Sequence, residues 1–102
     1  REGATDMMVL ITYDVSTETP EGQRRLRRVA KVCQNKGQRV QKSVFECLVE
    51  PADWVRLKGQ LMQEVNLNED SVRFYFLGKN WRGRVEHLGA HPPHDPEGPL
   101  VI

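Results

Sequence analysis

The chain has no apolar run long enough to cross a bilayer, and only two cysteines in 102 residues. The first absence excludes a transmembrane helix. The second, at Cys33 and Cys47, excludes a disulfide framework, and the pair matches no zinc or redox spacing. Two buried free thiols in a cytoplasmic protein are the expectation. Acidic residues are missing from Gly22 to Lys42, a segment with eight basic ones, in a chain of formal charge +1. A one-sign segment in a nearly neutral protein points to a local anion-binding surface. No aromatic interleaves with those basic residues, which argues against stacking of single-stranded bases there. Histidine is absent before His87, so no imidazole stands near the first apolar run as a general base.

What is present is organised around Met8-Val9-Leu10-Ile11-Thr12-Tyr13-Asp14, six uncharged residues running into a carboxylate. The run is short and rich in β-branched and aromatic residues, so it reads as a buried strand. Alternation puts Met8, Leu10, Thr12 and Asp14 on one face and Val9, Ile11 and Tyr13 on the other. Asp14 then sits where the chain leaves the sheet. A carboxylate there either serves chemistry or holds the next loop by accepting backbone amides two residues on. Residues 1–6 show no hydrophobic pattern and read as an extension ahead of a natural start at Met7 or Met8.

Thr19 as N-cap, Pro20 at the first helical position and Glu21 in the first turn open a helix. Leu26, Val29, Ala30 and Cys33 form its apolar stripe, and Gly37 is expected just past its end. Arg24, Arg28 and Lys31, spaced four and three, make a basic row flanked by Arg25 and Arg27. That row is either a solvated face or a phosphate-contacting one. Gln38–Gln41 and Ser43–Val49 read as two strands with an unplaced turn, since neither Gly nor Pro lies between them. Pro51 opens a second helix to about Val65, with Trp54, Leu57, Leu61 and Val65 on its apolar stripe. Ser71–Leu77 is a last strand, with Val72, Phe74 and Phe76 on one face.

Residues 79–102 are rich in glycine and proline and hold every histidine, so they build no core of their own. His87, His91 and His94 have a spacing that would suit a metal only on a helix, which Gly89, Pro92 and Pro93 oppose; an exposed tail is the expectation. Leu100-Val101-Ile102 is an apolar end that suggests docking, for instance on a sheet edge. Trp81, among Lys79, Arg82 and Arg84, could stack on a partner or a base, but a cover for a dimer edge is the expectation.

The order strand, helix, strand, strand, helix, strand is the split βαβ arrangement, an α+β ferredoxin-like sandwich over residues 7–78 with residues 79–102 as a tail. Both helices cover one face of a four-stranded antiparallel sheet. Phe, Tyr and Val on the other face would favour a second copy packed sheet to sheet, giving a homodimer. An RNA-recognition module shares the strand order, but Arg73-Phe74-Tyr75-Phe76 lacks its glycine and spacing.

Several stretches together resemble the CRISPR-associated protein two family. They are Tyr13-Asp14-Val15-Ser16, Arg27-Arg28-Val29-Ala30-Lys31, Gly37-Gln38-Arg39-Val40-Gln41, Ser43-Val44-Phe45-Glu46-Cys47 and Asp70-Ser71-Val72-Arg73-Phe74-Tyr75. The tail, through Arg84-Val85-Glu86-His87-Leu88-Gly89 and Asp95-Pro96-Glu97-Gly98-Pro99-Leu100, is similar to tails of subtype I-C members. Lys42 departs from the aromatic many members carry. The resemblance implies a ferredoxin-like symmetric dimer with a C-terminal extra strand crossing to the partner. It implies a part in spacer acquisition, beside the CRISPR integrase subunit and double-stranded DNA or RNA. It implies a metal-dependent endonuclease in which Asp14 binds Mg2+ (or Mn2+) and Tyr13 joins it as a catalytic residue. Arg28, Arg39, Phe45 and Ser43 would support that site, and Arg24, Arg27, Arg28, Lys31 and Arg39 would meet nucleic acid. It equally implies a non-catalytic adaptor that bridges integrase subunits, and both readings stay open.

Overall fold

A computed structural model describes residues 6–89. Met7–Asp14 forms β1, Pro20–Gln34 forms α1, Gly37–Gln41 forms β2 and Val44–Val49 forms β3. Pro51–Glu64 forms α2, Ser71–Gly78 forms β4, and Trp81–Arg84 is a single 3-10 turn. The strands lie in the order β2-β3-β1-β4, every pair antiparallel. This is the ferredoxin-like α+β sheet expected from the element order.

The core lies on one side of that sheet. Val9, Ile11, Tyr13, Phe45, Cys47 and Val49 from the strands meet Val29 and Cys33 of α1 and Leu57 and Leu61 of α2. Trp54 adds an edge-on contact to Phe74 at 4.8 Å and to Phe76 at 5.4 Å between ring centroids. Such pairs add to the apolar burial that drives the fold. Both phenylalanines of β4 therefore sit on the helix side, not on the face expected to receive a second copy. The register assigns that other face to Leu10, Thr12 and Asp14 of β1, Val44, Glu46 and Leu48 of β3, and Ser71, Arg73 and Tyr75 of β4. It is more polar than the sequence pattern suggested.

Local signals act as written, with one exception. The Thr19 hydroxyl accepts the Gly22 N–H at 3.0 Å, and Pro20 follows it. The turn between β2 and β3 is Lys42-Ser43, found without glycine, and the pairing skips a register at Val40. Gly37 is not the helix stop. Asn35 caps α1 in a right-handed conformation, and Gly37 opens β2. Its missing side chain has a packing reason: a Cβ there would overlap the Glu46 carbonyl oxygen and stand 2.5 Å from Cys47 Sγ. Cys33 and Cys47 are both free and buried, and burial pushes each thiol up to about 12. They behave as small apolar side chains. Asp6, assigned by sequence to the extension, is only 4% exposed, so ordered packing begins before β1. Among the described residues, no helix is long and apolar enough to cross a membrane. His91, His94 and the apolar end Leu100-Val101-Ile102 lie outside the described residues.

Candidate functional site

The site is built at the end of the sheet where β1 hands over to α1. Val15 turns back into the core, and Asp14, the last strand residue, points to the open face and is exposed. Among the described residues nothing pairs with its carboxylate. The alternative role expected for Asp14, holding the following loop, belongs to another residue. Asp70 Oδ1 accepts the Ser16 N–H at 3.0 Å, and Oδ2 accepts the Asn66 N–H at 2.9 Å. Arg25 completes the set, donating from Nε to Oδ2 at 2.9 Å and from Nη2 to Oδ1 at 3.3 Å. The Asp70 side chain is wholly buried and that of Arg25 is 12% exposed. Burial by itself would raise the Asp70 carboxyl; the Arg25 hydrogen bond and the Asn66 and Ser16 amides outweigh it and hold the group below its ordinary value. One carboxylate thus joins α1, the loop after β1 and the loop before β4.

Sequence reasoning missed this clamp. The sequence places Arg25 as a flank of the basic row and Asp70 only at the head of the last strand's motif. A weak signal existed, because Arg25 sits beside Leu26 and Val29 on the inner half of the helix, where an unpaired charge is costly.

The basic segment is correspondingly less one-sided in space. Arg28 does not stay in the row: its Nε donates to Glu64 Oε1 of α2 at 2.7 Å. Glu69 stands 3.8 Å from Arg25. The acids missing from the local sequence arrive from about forty residues away. What remains on α1 is Arg24, Arg27 and Lys31, spaced three and four, exposed and free of ion pairs among the described residues. Arg24 also borders a shallow groove with Thr19, Glu21, Arg28, Asn66 and Glu69.

The other expected site residues divide between the two faces. The Tyr13 ring stacks on Phe45 at 6.2 Å within the core, and its hydroxyl donates to the Lys42 carbonyl at 3.3 Å. Burial raises its pKa, and the nearby Arg39 guanidinium works against that rise. Arg39 lies over Phe45 at 5.0 Å, a cation–π contact. The Ser43 carbonyl accepts the Tyr13 N–H at 3.1 Å. Tyr13, Ser43, Phe45 and Arg39 therefore form one group that braces the β2–β3 turn on the helix side. The structure does not bring them to Asp14, which projects from the opposite face.

Could Asp14 hold a divalent ion? Among the described residues no cluster of three or more His, Cys, Asp or Glu exists, so a closed protein cage does not fit. A half-site does. Magnesium keeps much of its water and takes one or two carboxylates. Asp14 offers one free carboxylate, with the hydroxyl residues Thr12 and Ser71 on the same face. A two-fold axis near this end would supply a second.

Fold and site together define a small ferredoxin-like domain with a carboxylate on its open face that no described residue pairs with, and a basic row on its first helix. The family model for CRISPR associated protein Cas2 matches residues 7–85, and the chain belongs to that family. It is 65% identical over 96 residues to a CRISPR-associated endoribonuclease Cas2 of Chlorobaculum tepidum, covering 94% of this chain and 100% of that one. It is 61% identical over 100 residues to the protein of that name from Nitratidesulfovibrio vulgaris, covering 98% of each. A relative in Halalkalibacterium halodurans, 53% identical over 96 residues with 94% of this chain and 100% of that one covered, carries the name CRISPR-associated endonuclease Cas2. Among solved structures, Streptococcus pyogenes Cas2 at pH 6.5 superposes with a TM-score of 0.72 at 63% identity, over 81% of this chain and 100% of that one.

Proposed function

We propose that this chain is a CRISPR adaptation protein that acts as a symmetric dimer on nucleic acid, with a divalent-ion-assisted phosphodiesterase site on Asp14. The observation that carries the reading is Asp14 itself, exposed at the strand end with no partner among the described residues, in a chain whose close relatives are named as nucleases. Magnesium or manganese held by Asp14 would supply charge to offset the phosphate and lower the pKa of a bound water. In the hydrolysis a water oxygen adds to phosphorus and gives up one proton to solvent, the bond to the leaving oxygen breaks, and that oxygen takes up a proton from solvent. Asp14 positions the cation. The clamp at Asp70 fixes the backbone at Ser16, two residues further on.

The test is cleavage of an RNA and of a DNA duplex, with magnesium or manganese, by wild type, Asp14→Ala and Asp14→Asn. Loss of cleavage in both variants is expected. Cleavage by the variants at the wild-type rate sinks the nuclease reading.

A second reading, a scaffold that holds duplex DNA beside an integrase, is favoured by the row Arg24, Arg27 and Lys31. Such a row contacts phosphates without reading sequence, and binding should fall steeply with salt. Reversing all three to Glu should remove duplex retention. Unchanged affinity would make the row a solvated face.

A further inference from the structure

The open face holds a cation that none of the expected site residues accounts for. β4 is the last strand of the described sheet, and its register sets Ser71 directly opposite Asp14, Arg73 opposite Thr12 and Tyr75 opposite Leu10. Directly opposed residues share a face, so Asp14, Thr12, Ser71 and Arg73 occupy the corners of a small square at the sheet's end. Arg73 is exposed, and its Nη1 donates to the Tyr75 hydroxyl at 3.0 Å. Arg25 and Arg28 of α1, by contrast, are matched to carboxylates. Arg73 is tethered by a phenol, which orients the guanidinium, and among the described residues no carboxylate pairs with it.

The diagonal separation matters. Diagonal neighbours in an antiparallel pair stand roughly 7–8 Å apart, and Asp14 and Arg73 make no ion pair. The gap leaves a carboxylate for a cation and a planar guanidinium fork for an anion, side by side. A phosphodiester meets both, because its non-bridging oxygens can take two parallel N–H donors. We propose that Arg73, oriented by Tyr75, is a phosphate-binding residue that seats the backbone phosphodiester next to Asp14. This rests on the reading of Asp14 as the hydrolytic site. An alternative use of the same guanidinium, pairing with a carboxylate of a second copy, is an outcome of the test.

The experiment compares Arg73→Ala, Arg73→Lys and Tyr75→Phe, each in the full chain and each also combined with Asp14→Asn so that nothing is cut. Binding to a 30-nucleotide RNA and to a 30-base-pair DNA duplex is measured across a salt series, with solution mass recorded in parallel. One phosphate contact contributes about 0.9 to the log–log salt slope on a duplex, and about 0.7 on a single strand. Arg73→Ala is expected to lower the slope by that amount on the substrate arm that binds, and Arg73→Lys to retain it. Where wild type cleaves, Arg73→Ala should lower kcat by about 100-fold, as removal of one oriented donor to a charged transition state does. Tyr75→Phe should lower it by a smaller factor. An unchanged slope in Arg73→Ala overturns the proposal, and so does a fall in solution mass to that of one subunit. The underlying reading fails separately, through Asp14→Asn cutting as wild type does. Even then the slope measurement still decides the role of Arg73.

Discussion

Two carboxylates sit at the same end of the sheet, one residue apart in register, and they have opposite environments. Asp70 precedes Ser71, the residue paired with Asp14. Asp70 is buried and accepts hydrogen bonds from Arg25, Ser16 and Asn66. Asp14 is exposed and accepts none from the described residues. A carboxylate whose lone pairs are filled by its own chain holds structure and has nothing left for a ligand. One that the fold presents and leaves empty is available to a cation. The loop-holding function that a strand-end Asp often has is here performed by its neighbour across the sheet, which leaves Asp14 with no partner among the described residues.

The sharpest way to break this contrast is to remove the filled member. Asp70→Ala leaves two part-buried backbone amides and the largely buried Arg25 without their acceptor. We expect a loss of roughly 3–5 kcal/mol, read as a lower urea midpoint at unchanged slope. The pH dependence has a definite sign. The folded-state pKa of Asp70 lies below its ordinary value, so its contribution is complete above the unfolded carboxylate range and is lost as pH falls through the folded value. Asp70→Asn should flatten that acid limb of the stability profile. A mutant as acid-sensitive as wild type would show that other carboxylates set it. Next in size comes Gly37→Ala, which presses a methyl into the Glu46 carbonyl and Cys47. About 1–3 kcal/mol is expected, from overlap alone and with no effect on Asp14.

The fold was legible because each element carried its own marker. Thr19-Pro20-Glu21 opened α1, Pro51 opened α2, and the strands showed their period. The position of Asp14 followed from alternation alone. What was not legible depended on contacts distant in sequence. The acids that offset α1 come from Glu64, Glu69 and Asp70, and no local window contains both partners. For that reason local sequence shows Arg28 only as part of a basic row and Arg25 only as its flank, and neither partner, Glu64 nor Asp70, is visible there. Tyr13 and Phe45 fell into the expected site because they neighbour Asp14 or match a family motif. Alternation had already put Tyr13 on the other face. The sheet register, which a single strand cannot state, brought Arg73 to Asp14.

Smaller effects sharpen the same contrast on α1. Thr19→Ala removes the cap on Gly22 and should cost about 1 kcal/mol. Arg28→Ala breaks an ion pair whose members are 52% and 30% exposed, and should cost about 0.5 kcal/mol. It should leave the salt dependence of duplex binding nearly as it was, whereas Arg24→Ala or Lys31→Ala should each reduce the slope. A large change in slope from Arg28→Ala would return that residue to the binding row and leave Glu64 as a passing contact.

The smallest expected change in stability belongs to Asp14 itself, and it is the most informative. Asp14→Asn removes a charge that has no partner among the described residues, so folding should shift by no more than about 0.5 kcal/mol in the absence of divalent ions. Wild type should gain stability on addition of magnesium or manganese, because an ion bound only by the folded protein shifts the equilibrium by mass action. Asp14→Asn should gain far less, while Asp70→Ala, though weakened, should keep the response. Thermal unfolding of the three proteins with and without manganese separates the two carboxylates directly. If the ion stabilises Asp14→Asn as much as wild type, the cation binds elsewhere and the empty carboxylate is only a solvated strand end.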